Sequence, residues 1–242
     1  MEATSTTTIR DMVTADFRAA AVFHGYGIDF CCGGGKTLEE ACRQRSLSVD
    51  AVLREVERAC RIPDTSAARL ADLDTDGLIA HIVDVHHEYV RQAMPAILAH
   101  VHKAAKSHGA NHPELVDVAT VFDRVAMEMT LHLGKEEDVL FPYISRLAEA
   151  AEAGREPPYA PFGPVDNPIR MMEAEHDAAG TAMALIRELT DGYTPPEHAC
   201  ATYRICFKEL EEFERNLHEH VHLENNILFP RAQAMADRRR SA

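Results

Sequence analysis

The segment His132-Leu-Gly-Lys-Glu136-Glu-Asp-Val-Leu-Phe-Pro142 recurs as His220-Val-His-Leu-Glu224-Asn-Asn-Ile-Leu-Phe-Pro230, and each shared position is displaced by 88 residues (132 to 220, 136 to 224, 142 to 230). A spacing of four sets the imidazole and the carboxylate side by side on one helical face. The chain therefore writes a metal-ligand pair twice. The stretch Ile82-Val-Asp-Val-His-His87-Glu88 is echoed by Met171-Met-Glu-Ala-Glu-His176-Asp177 at an offset of 89 (87 to 176), so the helix before each motif repeats as well. Four helices and six candidate ligands follow: His87, His132, Glu136, His176, His220 and Glu224.

A single histidine and glutamate four apart is usually a surface or core pair. Repetition changes that balance. Burying two such pairs and two more histidines on four apolar stripes, with no ion to balance the charge, costs on the order of several kcal/mol. Inward-facing histidines and carboxylates from four helices are also how bundles hold paired iron or manganese. Four imidazoles and two carboxylates suit iron: calcium or magnesium calls for more oxygen, structural zinc for fewer ligands and usually some thiolate.

The surrounding sequence is consistent with an all-α fold, and no strand pattern competes. Residues 9 to 24 read as a helix capped by Thr8 and stopped by Gly25 and Gly27. Thr37-Leu-Glu-Glu40 is a capping box opening a second helix, and Ser48 caps a third that runs to about Arg61. These three helices form a small module over 1–62. Ile62-Pro-Asp-Thr-Ser breaks the pattern, so 63–75 reads as a linker. A four-helix bundle follows over 76–238. Its stripes are Ile79, Val83, His87, Val90, Met94, Ile97 and Val101; Val118, Val121, Val125, His132, Glu136 and Val139; Ile169, Met172, His176, Ala179, Met183 and Ile186; and Cys206, Leu210, Phe213, Leu217, His220, Glu224 and Ile227. A proline-rich loop from Pro157 to Pro164 joins the two halves.

Thirty-nine acidic against 25 basic residues leave a formal charge of −14, which repels a phosphate backbone and argues against nucleic acid as a partner. The amino terminus lacks a basic start followed by an apolar run, and no segment is apolar for the length of a bilayer. A cytoplasmic protein with no membrane partner is the expectation. Its six cysteines are then expected to stay reduced.

Other polar groups are weighed against the six. Glu128 lies one turn before His132 and is a candidate for proton handling, against the alternative of a solvated helix carboxylate. Glu175 adjoins His176 and is a weaker candidate than Glu128. His86 is the rival to His87, whose apolar stripe is longer. His100, His102, His108 and His112 sit at a helix end and loop and read as solvated; His81, His218 and His222 flank the site on other faces. Cys31 and Cys32 are adjacent, about 3.8 Å apart at Cα across a trans peptide, too close for normal disulfide geometry. In a turn beside three glycines they read as exposed thiolates able to bind metal, exchange or sense oxidation. Cys42, Cys60, Cys200 and Cys206 read as small core hydrophobes. Gly33-Gly34-Gly35-Lys36-Thr37 fails as a phosphate loop: no strand precedes it, and Phe30 stands where the first glycine belongs.

With these residues in place the chain resembles the iron-sulfur cluster repair di-iron proteins, the family called RIC for repair of iron centres. The likeness rests on Asp29-Phe-Cys-Cys-Gly-Gly-Gly35 with Thr37-Leu38, on His132 to Pro142, on Glu173-Ala-Glu-His-Asp-Ala-Ala-Gly180 and on Leu223-Glu-Asn-Asn-Ile-Leu-Phe-Pro-Arg231, across nearly the full length. The resemblance implies a cysteine-bearing N-terminal domain and a hemerythrin-like up-down bundle. It also implies two non-haem irons with an oxo or hydroxo bridge, ligated by His87, His132, His176 and His220 and bridged by Glu136 and Glu224. The implied role is restoring iron-sulfur clusters damaged by nitric oxide or peroxide through iron donation, with damaged cluster proteins or assembly scaffolds as partners. Reduction of nitric oxide or peroxide at the same centre, and sensing of O2 or nitric oxide as small ligands, are the competing expectations. A homodimer is compatible with either.

Overall fold

The computed structural model describes residues 3–31, 33–60, 70 and 72–237. The expected linker over 63–75 therefore falls largely outside the described residues, as do Cys32 and the Arg238-Arg239-Arg240 tail. Among the described residues the fold is all-α, with one isolated bridge between Thr8 and Thr37. The helices are α1 (Ile9–Ala15), α2 (Arg18–Gly25), α3 (Leu38–Gln44), α4 (Val49–Cys60), α5 (Thr75–His81), α6 (Glu88–His108), α7 (Glu114–Lys135), α8 (Phe141–Glu152), α9 (Asp166–Leu189), α10 (Ala201–Leu223) and α11 (Phe229–Asp237). Three π-helical turns join consecutive helices: π1 (Ile82–His87), π2 (Glu136–Leu140) and π3 (Glu224–Leu228).

The chain folds as two compact units. One gathers residues 1–80, 147–158 and 218–242; the other gathers 81–146 and 159–217.

In the first unit, the single helix expected over 9–24 is divided. Asp16 leaves the helical region (φ −155°, ψ 105°), accepts the Arg18 N–H at 3.1 Å and holds the Arg18 guanidinium, which also donates to the Cys60 carbonyl at 2.7 Å. The polar side chain competes with the backbone ladder and restarts the helix. Thr8 caps α1, and Thr37 with Glu40 forms the full reciprocal capping box on α3. The loop before α3 is stitched to the start of α1, with Ile9 N–H to Lys36 O at 2.9 Å and Arg10 N–H to Gly34 O at 2.8 Å. A Cβ on Gly34 would lie 2.6 Å from the Phe30 carbonyl oxygen, so this close approach requires glycine. Ile9, Met12, Val13, Phe23, Phe30, Leu38 and Val52 fill the core beneath.

In the second unit, α6 and α7 are antiparallel neighbours joined by a five-residue loop (109–113), and α7 packs on α9. Phe122 of α7 meets Phe213 of α10 edge-on at 5.3 Å, and Arg187 of α9 donates twice to Glu214 of α10, at 2.9 and 2.7 Å. Tyr193 O–H donates to the same carboxylate at 2.9 Å. Burial raises the Glu214 pKa, against the opposing pull of Arg187, and raises that of Tyr193. The stripes expected on α9 and α10 are buried throughout.

The stripes of the first two bundle helices shift where π turns intervene. Leu78, Ile82 and His86 are buried upstream in place of Ile79 and Val83, and both His86 and His87 are buried before the pattern resumes at Val90 and Met94. After Glu136 the next buried residue is Leu140, and Val139 is 47% exposed. A π turn adds one residue to the helix, which rotates everything beyond it to a new face.

Candidate metal centre

Each π turn begins or ends on a candidate ligand. Glu88 N–H reaches Val83 O, Phe141 N–H reaches Glu136 O and Phe229 N–H reaches Glu224 O, each an i to i+5 bond. The last two precede Pro142 and Pro230, which lack an N–H and crowd the carbonyl four residues back; a widened turn relieves that clash. The Leu-Phe-Pro ending of the motif is thus the local cause of the bulge. All six candidate ligands are at most 1% exposed.

In the second unit, His87, His132, Glu136 and His176 converge. His132 Nε2 lies 3.3 Å and His176 Nε2 3.9 Å from Glu136 Oε1, and the two imidazole Nε2 atoms are 2.9 Å apart. His87 Nε2 lies 3.5 Å from the other oxygen, Oε2. His132, Glu136 and His176 each bring one ligand atom within 4.8 Å of the other two. In the first unit, His220 Nε2 lies 2.9 Å from Glu224 Oε1, with both side chains fully buried.

The outer nitrogens are held by carboxylates that the motif reading did not select. His87 Nδ1 is 2.6 Å from Glu137 Oε1, and His132 Nδ1 is 2.8 Å from Glu175 Oε2. Arg91 and Lys135 anchor these two carboxylates from outside. Burial opposes ionisation of Glu137 and Glu175, but the hydrogen bonds from His87 and Arg91, and from Lys135 and His132, outweigh it and hold both pKa values below the ordinary range. A carboxylate on Nδ1–H leaves the Nε2 lone pair directed inward, the tautomer a metal requires. Phe141 stacks on the His87 ring at 5.7 Å and covers it.

Several expectations are corrected. Glu128 is exposed, away from buried His132, and Glu175, the weaker candidate, is the carboxylate on the His132 ring. Cys31 is not an exposed thiolate: it is 4% exposed, and its thiol donates to Asp29 Oδ1 at 3.2 Å. Asp29 also accepts the Cys31 and Gly33 N–H groups, at 3.0 and 2.8 Å, so the turn folds around that carboxylate. Asn226 donates to the Phe30 and Cys31 carbonyls at 3.4 Å each and lies 2.9 Å from His222 Nδ1. His222 is fully buried against Phe17 and Phe30, and burial pushes its pKa down to about 4. Cys42 and Cys206 are buried as expected, Cys60 is half-buried, and Cys200 is exposed in the loop before α10. His86 is buried and faces the His81 ring at 5.7 Å.

A nitrogen and oxygen donor set without thiolate, inside a helical bundle, fits iron or manganese better than a structural zinc. Comparison with known proteins likewise points to a bound cation. Residues 78–232 match the hemerythrin HHE cation binding domain, and residues 5–60 match ScdA_N, a domain of unknown function (DUF542). Over 215 residues the chain is 34% identical to proteins named "Iron-sulfur cluster repair protein YtfE" from Yersinia pestis (strain Pestoides F) and Yersinia pseudotuberculosis serotype O:1b (strain IP 31758), covering 89% of this chain and 91% of each relative.

Proposed function

The chain belongs to the hemerythrin HHE cation-binding family and, within it, to the iron-sulfur cluster repair proteins, and on that premise we propose that it restores clusters damaged by nitrosative or oxidative stress by donating iron from a di-iron centre. The observation that carries the proposal is the division of labour at Glu136. One of its oxygens faces His132 and His176 while the other faces His87, so each oxygen could hold an ion beside its own histidines.

His87, His132, Glu136, His176, His220 and Glu224 are the proposed ligands. The 88-residue repeat supports the last two, because it gives Glu224 the place in its motif that Glu136 holds in the other. The unbroken run of α10 supports them as well, since the helix carries its buried stripe through Leu217 to His220. The proposed functional division is a module over 1–62, a linker over 63–75 and the bundle over 76–238, in line with the two matched families. Two irons, when bound, would supply exchangeable metal. The protein's own groups do the rest. Glu137 and Glu175 hold the Nδ1 protons of His87 and His132, keeping Nε2 free to bind, and Arg91 and Lys135 fix those carboxylates. Histidine must be neutral to bind, so acidification favours release.

The partners proposed are damaged iron-sulfur proteins. The test is transfer: iron-loaded protein, incubated with a nitrosylated or oxidised cluster enzyme, restores its activity beyond an equal amount of free iron. Equal restoration by free iron overturns the donor role. Iron analysis of anaerobically purified protein is expected to return two ions per chain, and loss of metal in His132→Ala and Glu136→Ala.

A further inference from the structure

The C-terminal end of α6 lies about 30 Å along the helix from His87, at about 1.5 Å per residue, and there two further donor pairs stand. His108 Nε2 is 3.2 Å from Cys200 Sγ, and His112 Nε2 is 3.1 Å from His198 Nε2. Both pairs link the same two segments. His112 N–H donates to the His108 carbonyl at 2.9 Å, closing one helical turn, and His198 and Cys200 are two residues apart in the facing loop. The Tyr203 ring touches both inner histidines, at 5.4 Å from His108 and 5.8 Å from His112.

The His112 pair is built like the His132 pair. Glu114 Oε1 lies 2.9 Å from His112 Nδ1, as Glu175 lies on His132 Nδ1, and in both cases the opposite Nε2 faces a second imidazole Nε2 at close to 3 Å. Two nitrogens on one tetrahedral ion at about 2.0–2.1 Å stand about 3.3 Å apart, so the 3.1 Å separation needs little adjustment. The donor chemistry differs, however. Three imidazoles and a thiolate make a zinc-type set, whereas the bundle centre offers only nitrogen and oxygen.

We propose that His108, His112, His198 and Cys200 form a second metal site that takes one borderline divalent cation of the Zn2+ class, independent of the His87–Glu136 centre. Binding draws the two pairs onto one ion and releases the Cys200 thiol proton to solvent. Exposure of His198 and Cys200 lets the ion enter and exchange without unfolding.

Cobalt(II) tests this directly in the full-length, reduced protein without oxygen, because a thiolate-to-cobalt charge-transfer band reports a sulfur ligand and the bundle centre has none. The expected result is a near-ultraviolet band that saturates with Co2+, is bleached by Zn2+ and is abolished in Cys200→Ser. His112→Ala and His198→Ala are each expected to weaken Co2+ binding at this band at least tenfold. All three variants change half-buried or exposed positions, so circular dichroism is expected to match the wild type. No band in the wild type, or an unchanged band in Cys200→Ser, overturns the site; so does a band that both histidine variants leave at full affinity.

Discussion

Glu137 and Glu175 each stand next to a proposed ligand in sequence, yet each serves a histidine on a different helix. Glu137 follows Glu136 and reaches His87; Glu175 precedes His176 and reaches His132. Replacing either with alanine is expected to lower metal affinity tenfold to a hundredfold, read by competition with a chelator. Glu128→Ala is expected to leave both affinity and transfer unchanged, since that side chain is in solvent. The six proposed ligands stood out because residue type, spacing and repetition agreed, and all six are buried. Their outer partners did not stand out, because a residue adjacent to a ligand points elsewhere on its own helix, and only the packing of helices shows where. Cys31 was misjudged for a similar reason: neighbouring glycines suggested an open turn, and Asp29, two residues away, closes it. Asp16 carries a prediction of its own. Its hydrogen bonds to Arg18, more than they are opposed by burial, hold its pKa below the ordinary value. Its contribution is therefore present at neutral pH and lost as the pH falls below about 3.9. Asp16→Ala is expected to cost about 1 kcal/mol near pH 7 in urea unfolding, with the difference shrinking at acid pH.

At the scale of elements, the helices of the second half followed their stripes, and those of the first half departed from them at the π turns. An α-helical period places Val139 inside; the extra residue of π2 puts Leu140 there and Val139 in solvent. The sequence carried a sign of this in Pro142 and Pro230, each inside a stretch that stays helical, whereas π1 has no proline to announce it. Gly134 lies in the last turn of α7, two residues before π2. A Cβ there meets nothing within 4 Å, so no close packing explains the glycine. Gly134→Ala is expected to stabilise the protein by about 0.5–1 kcal/mol, measured by the urea midpoint, with metal content unchanged.

The whole molecule assembles from segments distant along the chain. The first eighty residues and the last twenty-five share a unit, where His222 and Asn226 pack against Phe17, Phe30 and the Cys31 carbonyl. Deleting residues 1–60 removes those partners, and the truncated chain is expected to melt roughly 5–10 °C lower and to bind a hydrophobic dye that the intact protein excludes. Among the described residues no helix is long and apolar enough to cross a membrane. The pairing of these distant segments also sets an order for biosynthesis. A ribosome delivers Phe17 and Phe30 early, but His222 and Asn226, which pack against them, follow about two hundred residues later, together with His220 and Glu224. The nascent polypeptide thus cannot present its full set of proposed ligands until Glu224 has been made, so the proposed centre could take up metal only after both copies of the motif have been synthesised.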